Sequence, residues 1–488
     1  MVPATQRFSS VALRLSLSSV SWVTVEKVAQ QVLWLVLFSI LAPILGPGPY
    51  GVFSIVMVFI GFCELVLGDG MVEVLVTLVE LEQPHVAVTI LLAGLAAAGL
   101  GLLLCGLAPA VGALFHDDDI RRLMWALAPL PLLSFLSAAP IAMLRRDMQF
   151  RRLALRSIAS LALGGAAGIG LALAGGGIWA LALQVVVQRV AEVGIAWASV
   201  PLRFQLGWSR PHFAEMRPIG INVFSARVMM YASAQTPRLV LGYVLGPVQV
   251  GLFTLASRFL DIVMFTMVFP RIAVARIELR TLPSGSREFT QLFTAMVRDV
   301  ALVAAPLLLG AAAVMPELYR IWLDPRWLPG VASAQLLLLS GPPLALVYCF
   351  DAAFLAARLP AVFRRTSTIQ AVTTAATVLV ASPFGLNAAC LALLLRSWAV
   401  LPVYVALLRR KCRIDAKAYL RLPLRLLAGA ALMAAALYLP WWRPEGIDDR
   451  LVFVGLILVG ALCYGAFCYG FARRELRAFL SEFVTRQT

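Results

Sequence analysis

Six basic residues lie inside long apolar stretches of the 488-residue sequence: Lys27, Arg189, Arg227, Arg238, Arg258 and Arg396. An ionisable group inside an apolar span is costly and normally faces a cavity or a partner. A guanidinium keeps its charge there, and its planar fork matches phosphate oxygens. Arg227 and Arg238 stand eleven residues apart, a spacing that returns to nearly the same helix face about 16 Å along the axis. The expected chemistry is recognition of a phosphate-bearing anion by a basic surface, with no catalytic residue. Five carboxylates share these apolar surroundings: Glu26, Glu64, Asp261, Asp299 and Asp351. Burial lets such a group load and release a proton near neutral pH, so each is a candidate ion-coupling site, with the ion left open between H+ and Na+. The plainer alternative is local pairing. Arg189 and Glu192, like Arg258 and Asp261, are i,i+3 neighbours; Glu26 stands beside Lys27, and Asp299 beside Arg298. His116-Asp117-Asp118-Asp119 reads as a loop whose Asp119 caps the next helix, because consecutive side chains diverge and rarely chelate together. No metal and no cofactor are expected. His85 and His212 read as loop residues, which leaves no histidine mid-span to act as the base of a membrane acyltransferase.

The elements that must position these groups are membrane spans. Hydrophobic residues make up 61% of the chain and charged residues 14%, with a mean hydropathy of +0.89. A soluble domain could not hide that much apolar surface. Apolar runs long enough to cross a hydrocarbon core of about 30 Å recur throughout. The pattern predicts an all-α polytopic membrane protein of about fourteen spans. The net charge of +16 is concentrated in alternate short loops, which marks topology rather than affinity for nucleic acid. Arg145, Arg146, Arg151 and Arg152 share a side with Arg409, Arg410, Lys411 and Arg413, and the alternation puts both termini in the cytoplasm. The acidic loop holding Asp69, Glu73, Glu80 and Glu82 departs from the pattern, but acidic residues count little in this rule. Trp322, Trp327, Trp441 and Trp442, near span ends, read as interfacial anchors.

The chain repeats itself. Leu45-Gly46-Pro47 with Gly51 and Phe53 recurs as Leu245-Gly246-Pro247 with Gly251 and Phe253, 200 residues later. Phe150-Arg151-Arg152 is echoed by Phe363-Arg364-Arg365, and Arg189 more loosely by Arg396. A duplicated six-span unit gives a parallel repeat, an architecture that encloses a site near the bilayer midplane. The organisation read from this is a cytoplasmic N-terminal segment (1–23), a six-span N-lobe (24–199) and an inter-lobe linker (200–217). A six-span C-lobe (218–408), a basic cytoplasmic loop (409–421), two extra spans (422–472) and a cytoplasmic tail (473–488) complete it.

The ordered set Leu45-Gly46-Pro47, Phe59-Ile60-Gly61-Phe62, Gly68-Asp69-Gly70, Leu144-Arg145-Arg146-Asp147-Met148-Gln149-Phe150, Gly177-Ile178-Trp179 and Leu245-Gly246-Pro247 resembles the polysaccharide transporter family. This family comprises lipid-linked oligosaccharide flippases within the multidrug, oligosaccharidyl-lipid and polysaccharide exporter superfamily. The resemblance implies two six-helix lobes in a V, alternating access, and an undecaprenyl-pyrophosphate-linked oligosaccharide as cargo. It further implies the cell inner membrane as location and a role in export of exopolysaccharide, capsule or O-antigen; the polysaccharide polymerase machinery is a further candidate partner. Proline at 237 stands where the family often has an acid, and Glu80 and Glu82 replace its usual basic residues. The alternatives are a multidrug or peptidoglycan-precursor exporter of the same fold and, in another class, a membrane polymerase or ligase. A drug exporter would need a lining of aromatics and carboxylates, and an enzyme a large exported loop; the chain shows basic candidates and short loops.

Overall fold

A computed structural model describes residues 4–65, 83–200, 207–438 and 448–473. The acidic loop residues Asp69, Glu73, Glu80 and Glu82 and the pair Trp441-Trp442 lie outside these residues. Among the described residues every regular element is helical. The helices are α1 (Ala4–Leu45), α2 (Pro47–Glu64), α3 (Gln83–Phe115), α4 (Asp118–Leu127), α5 (Leu130–Arg146), α6 (Phe150–Leu173) and α7 (Trp179–Ser199). Then follow α8 (Arg210–Leu245), α9 (Pro247–Val263), α10 (Phe269–Arg280), α11 (Arg287–Trp322), α12 (Val331–Leu339), α13 (Gly341–Ala356), α14 (Pro360–Ala381), α15 (Leu386–Cys412), α16 (Ala416–Leu437) and α17 (Asp449–Phe471). Helices α4 and α5 form one span, as do α9 with α10 and α12 with α13, so 12 spans among the described residues are long and apolar enough to cross a membrane. Helices α8 and α14 fall where the seventh and eleventh spans are predicted, and both are less apolar. Many large hydrophobics on these helices are exposed, such as Leu102, Leu462 and Phe471, as expected when lipid is the solvent.

The Leu-Gly-Pro repeat has one physical cause at both places. Gly46 has φ 75 and Gly246 φ 82, a region open to glycine and strained for other residues. The proline that follows begins the next helix, where its missing N–H costs nothing. Two helices are thereby joined by a single residue.

The chain divides into two compact units, Met1–Gln235 with Gly246–Val250, and Thr236–Leu245 with Gly251–Thr488. In the first, α6 and α7 pack closely because Gly164 and Gly168 remove side chains from their interface. A Cβ on Gly168 would lie 2.8 Å from the Gln184 Cβ, and one on Gly164 2.8 Å from the Gln188 Cβ. This is the small-xxx-small device of membrane helices, and it seats the polar segment of α7 against α6. Gly61 serves the same end on α2: the Tyr231 hydroxyl packs on it and donates to the Val58 carbonyl oxygen at 2.8 Å. In the second unit, buried aromatics carry the core. Phe293 lies 5.2 Å from Tyr419, and Phe350 lies 5.7 Å from Tyr419 and 6.3 Å from Tyr404 between ring centres.

Three sequence expectations are corrected. The cap of α4 is Asp117, whose side chain accepts from the Asp119 N–H at 2.8 Å; Asp119 sits in the first turn because the helix begins earlier than its apolar face. Trp327 is fully buried and no interfacial anchor, while Trp322 is half exposed. His85 and His212 are on the first turns of α3 and α8 rather than in loops. Their rings meet edge to face at 4.4 Å, with His85 buried.

Candidate functional site

Each unit contains a polar group built from several helices. In the first, the Arg189 side chain of α7 reaches two carboxylates. One terminal nitrogen donates to Glu64 of α2 and the other to Glu192, one turn on, each at 2.7 Å. Gln188 donates to the second Glu192 oxygen at 3.2 Å, and Ser134 of α5 lies 3.5 Å from Glu64. The Glu192 field also acts on Arg156 of α6. Arg156 donates to the Ser157 hydroxyl at 3.3 Å, which in turn donates to Glu26 of α1 at 2.7 Å. Two Arg156 nitrogens are buried with no hydrogen-bond partner among the described residues. Glu26, Glu64 and Glu192 thus meet Arg156 and Arg189 across four helices, and Arg145 adds its field at Arg156.

The second unit is built differently. Asp261 of α9 lies in the fields of Arg258, one turn before it, and of Arg238 on α8. Tyr348 of α13 lies in the fields of Asp261, Asp351 and Arg396, linking the three. Thr366 of α14 donates to Asp351 at 3.4 Å. Arg396 of α15 donates to the Thr373 hydroxyl at 3.2 Å and approaches the Gln370 carbonyl oxygen at 3.4 Å. Its Nε is buried without a hydrogen-bond partner among the described residues. Arg238 and Arg258 thus act on Asp261, while Arg396 is held by neutral oxygens.

Lys27, Asp299 and Arg227 remain. Lys27 is exposed on α1. The buried Asp299 of α11 accepts from Arg271 and, at 2.8 Å, from Arg298. Arg227 lies on α8, and its side chain is outside the described residues. Arg156, Gln188, Tyr348 and Thr373 join the groups without having been singled out from sequence. Arg156 sits only two turns into α6, so hydropathy alone does not separate it from the loop arginines before it. The neutral residues carry no charge signal at all.

A family model described as a polysaccharide biosynthesis protein matches residues 40–332. The chain belongs to this family. The succinoglycan biosynthesis transport protein ExoT of Rhizobium meliloti (strain 1021) is 27% identical over 249 residues, 50% of this chain and 49% of that protein. The chain spans about half the length of this curated relative. Among solved structures, the lipid II flippase MurJ in an inward closed conformation superposes with a TM-score of 0.76 at 14% identity, covering 92% of this chain and 99% of MurJ. A multidrug resistance transporter of the MATE family, inward-facing and of the MOP superfamily, gives a TM-score of 0.60 at 12% identity, covering 83% and 95% of the two chains. The chain has the fold of these two solved membrane proteins, and the relatives are named for transport or flipping rather than for catalysis.

Proposed function

We propose that the chain is an alternating-access flippase that carries an undecaprenyl-pyrophosphate-linked oligosaccharide across the inner membrane for polysaccharide export, with both termini in the cytoplasm. The observation that carries this reading is Arg396, a guanidinium inside a membrane span whose described hydrogen bonds go to a hydroxyl and a carbonyl oxygen. A pyrophosphate entering a low-dielectric region loses its hydration, and fixed guanidiniums replace it. Arg396 suits the task, because its described hydrogen bonds go to neutral oxygens and leave its charge uncompensated. A cationic drug would meet repulsion at the same place. The family match and the sugar-linked names of ExoT and MurJ support a glycan cargo. Glu26 and Glu64 of the first unit are the candidates there for a coupling ion.

The test is polysaccharide export by cells whose transporter carries Arg396→Ala or Arg396→Lys, at matched protein level. Loss of a charged hydrogen bond of about 1.5–3 kcal/mol predicts a fall of roughly tenfold or more for alanine. Lysine, a point charge without the fork, restores part of it. Undiminished export by the alanine variant would end this reading.

A further inference from the structure

Helix α15 ends in Arg409-Arg410-Lys411 and turns through Arg413 into α16. The two helices are sequence neighbours, but they pack elsewhere. Helix α15 lies on α12, α13 and α14, whereas α16 lies along α11 and against α17. Tyr419, fully buried, packs on Phe293 of α11 and on Phe350 of α13, which fixes the start of α16 where the two sets meet. The neighbours therefore splay apart, and a groove of about 750 Å³ opens between them. Leu401 and Val405 line it from α15, Leu420 and Leu424 from α16, and Arg409 and Arg410 stand at its end. The α15 residues recur at i, i+4 and i+8, so they form one stripe about 12 Å long.

The depth of the stripe matters. Arg409 follows Arg396 by thirteen residues, about 20 Å along the helix. If Arg396 is at mid-span, the arginine pair is at headgroup level and the apolar stripe is at acyl-chain level. Lys411 and Arg413 follow the pair as further exposed cations, with Asp415 the one exposed carboxylate on the turn between the two helices. An apolar slot closed by a basic rim is complementary to an anionic phospholipid, with chains along the stripe and phosphate on the guanidiniums. The leaflet follows from the loop charges: this rim belongs to the arginine-rich, cytoplasmic side.

We propose that the α15–α16 groove is a binding site for an anionic phospholipid of the cytoplasmic leaflet, separate from the groups assigned to the cargo. Helix α16 lies outside the duplicated six-span unit, so the site is an addition to the transport core rather than part of the repeat. Its failure leaves the cargo reading untouched, because the test needs no cargo.

The purified full chain in detergent is titrated with cardiolipin, with phosphatidylcholine as the zwitterionic control, and bound lipid is read by native mass spectrometry. The wild type is expected to retain cardiolipin in preference to phosphatidylcholine. An arginine near an anionic headgroup contributes about fivefold, so the double variant Arg409→Gln/Arg410→Gln is expected to weaken cardiolipin binding roughly 30-fold. Ala406→Phe, which fills the slot and keeps every charge, is expected to lower occupancy as well. Arg364→Gln/Arg365→Gln, a basic pair that does not line the groove, is expected to change nothing. Equal weakening by both arginine pairs would show only diffuse attraction and overturn the site. So would displacement of cardiolipin from this groove by undecaprenyl pyrophosphate at equimolar amounts, because the occupant would then be the cargo lipid.

Discussion

Replacing Arg189 by alanine separates two roles that this residue could have, holding its unit together or touching cargo. In the structure each terminal nitrogen is spent on a carboxylate at 2.7 Å, one on its own helix and one on α2. The side chains of Arg189, Glu64 and Glu192 are 28%, 17% and 10% exposed. Alanine would leave both carboxylates without their shared cation, Arg156 alone still acting on Glu192. Breaking a buried pair from one side costs about 3–5 kcal/mol. The partial exposure of the arginine argues for the lower end, about 3 kcal/mol. In a cooperative unit of this size each kcal/mol lowers Tm by about 2–4 °C, so the expected loss is about 6–12 °C. The assay is intrinsic-fluorescence thermal unfolding of the purified protein in one detergent, with Arg189→Met/Glu64→Leu alongside. Removing both partners with apolar replacements should recover a large part of the loss, because the stranded charge goes with its partner. An alanine variant that melts within about 2 °C of wild type, yet fails to export, would refute the structural assignment and return Arg189 to the cargo path.

Two further outcomes follow from local geometry. Gly61→Ala drives a Cβ into the Tyr231 hydroxyl and is expected to cost about 1–3 kcal/mol by overpacking. Tyr231→Phe should rescue most of it in a thermal-shift series, and absence of rescue would place the strain elsewhere. Asp324, in the turn after α11, accepts from the Arg326 side chain at 2.7 Å and its backbone N–H at 3.0 Å, which holds its carboxyl below the usual carboxylate range. Its contribution is therefore complete above about pH 4 and lost as pH falls further. Hydrogen exchange of the Arg326 amide, corrected for intrinsic rate, should accelerate only on acidification, and unchanged protection once the carboxyl is protonated would contradict this.

Much of the architecture was legible because few physical rules fix it. Span length and the Leu-Gly-Pro turn are local properties, and each leaves its mark within about twenty residues. Helices α8 and α14 show where apolarity weakens as a guide: both carry polar residues that face protein, and so they resemble surface helices in composition. The polar groups were only half legible. The pair Arg189–Glu192 could be read from i,i+3 spacing, but its second carboxylate, Glu64, is 125 residues away. That partner depends on how α2 and α7 pack, which in turn rests on glycines such as Gly164 and Gly168. Arg156 was obscured by the loop arginines before it. Trp327 misled because a tryptophan near a span end is read as an anchor, while its neighbours bury it.

The sequence echo of Arg189 in Arg396 sharpens one contrast. The surroundings of the two residues differ in the property that matters for an anion. Glu192 stands three residues after Arg189 and accepts from it; three residues after Arg396 stands the exposed Ala399. One guanidinium is neutralised within its own helix, whereas the other is held by a hydroxyl and a carbonyl oxygen. Ala399→Glu would therefore give Arg396 the partner that Arg189 already has. An i,i+3 pair at this site should form at little conformational cost, and it would cancel the local charge on which a pyrophosphate is proposed to depend. Export is expected to fall about as far as for Arg396→Ala, while Ala399→Gln, of the same size without the charge, should export normally. If the glutamate variant reaches normal protein level and exports as well as the glutamine variant, an uncompensated charge at Arg396 is not what the cargo uses, whichever glycan it bears.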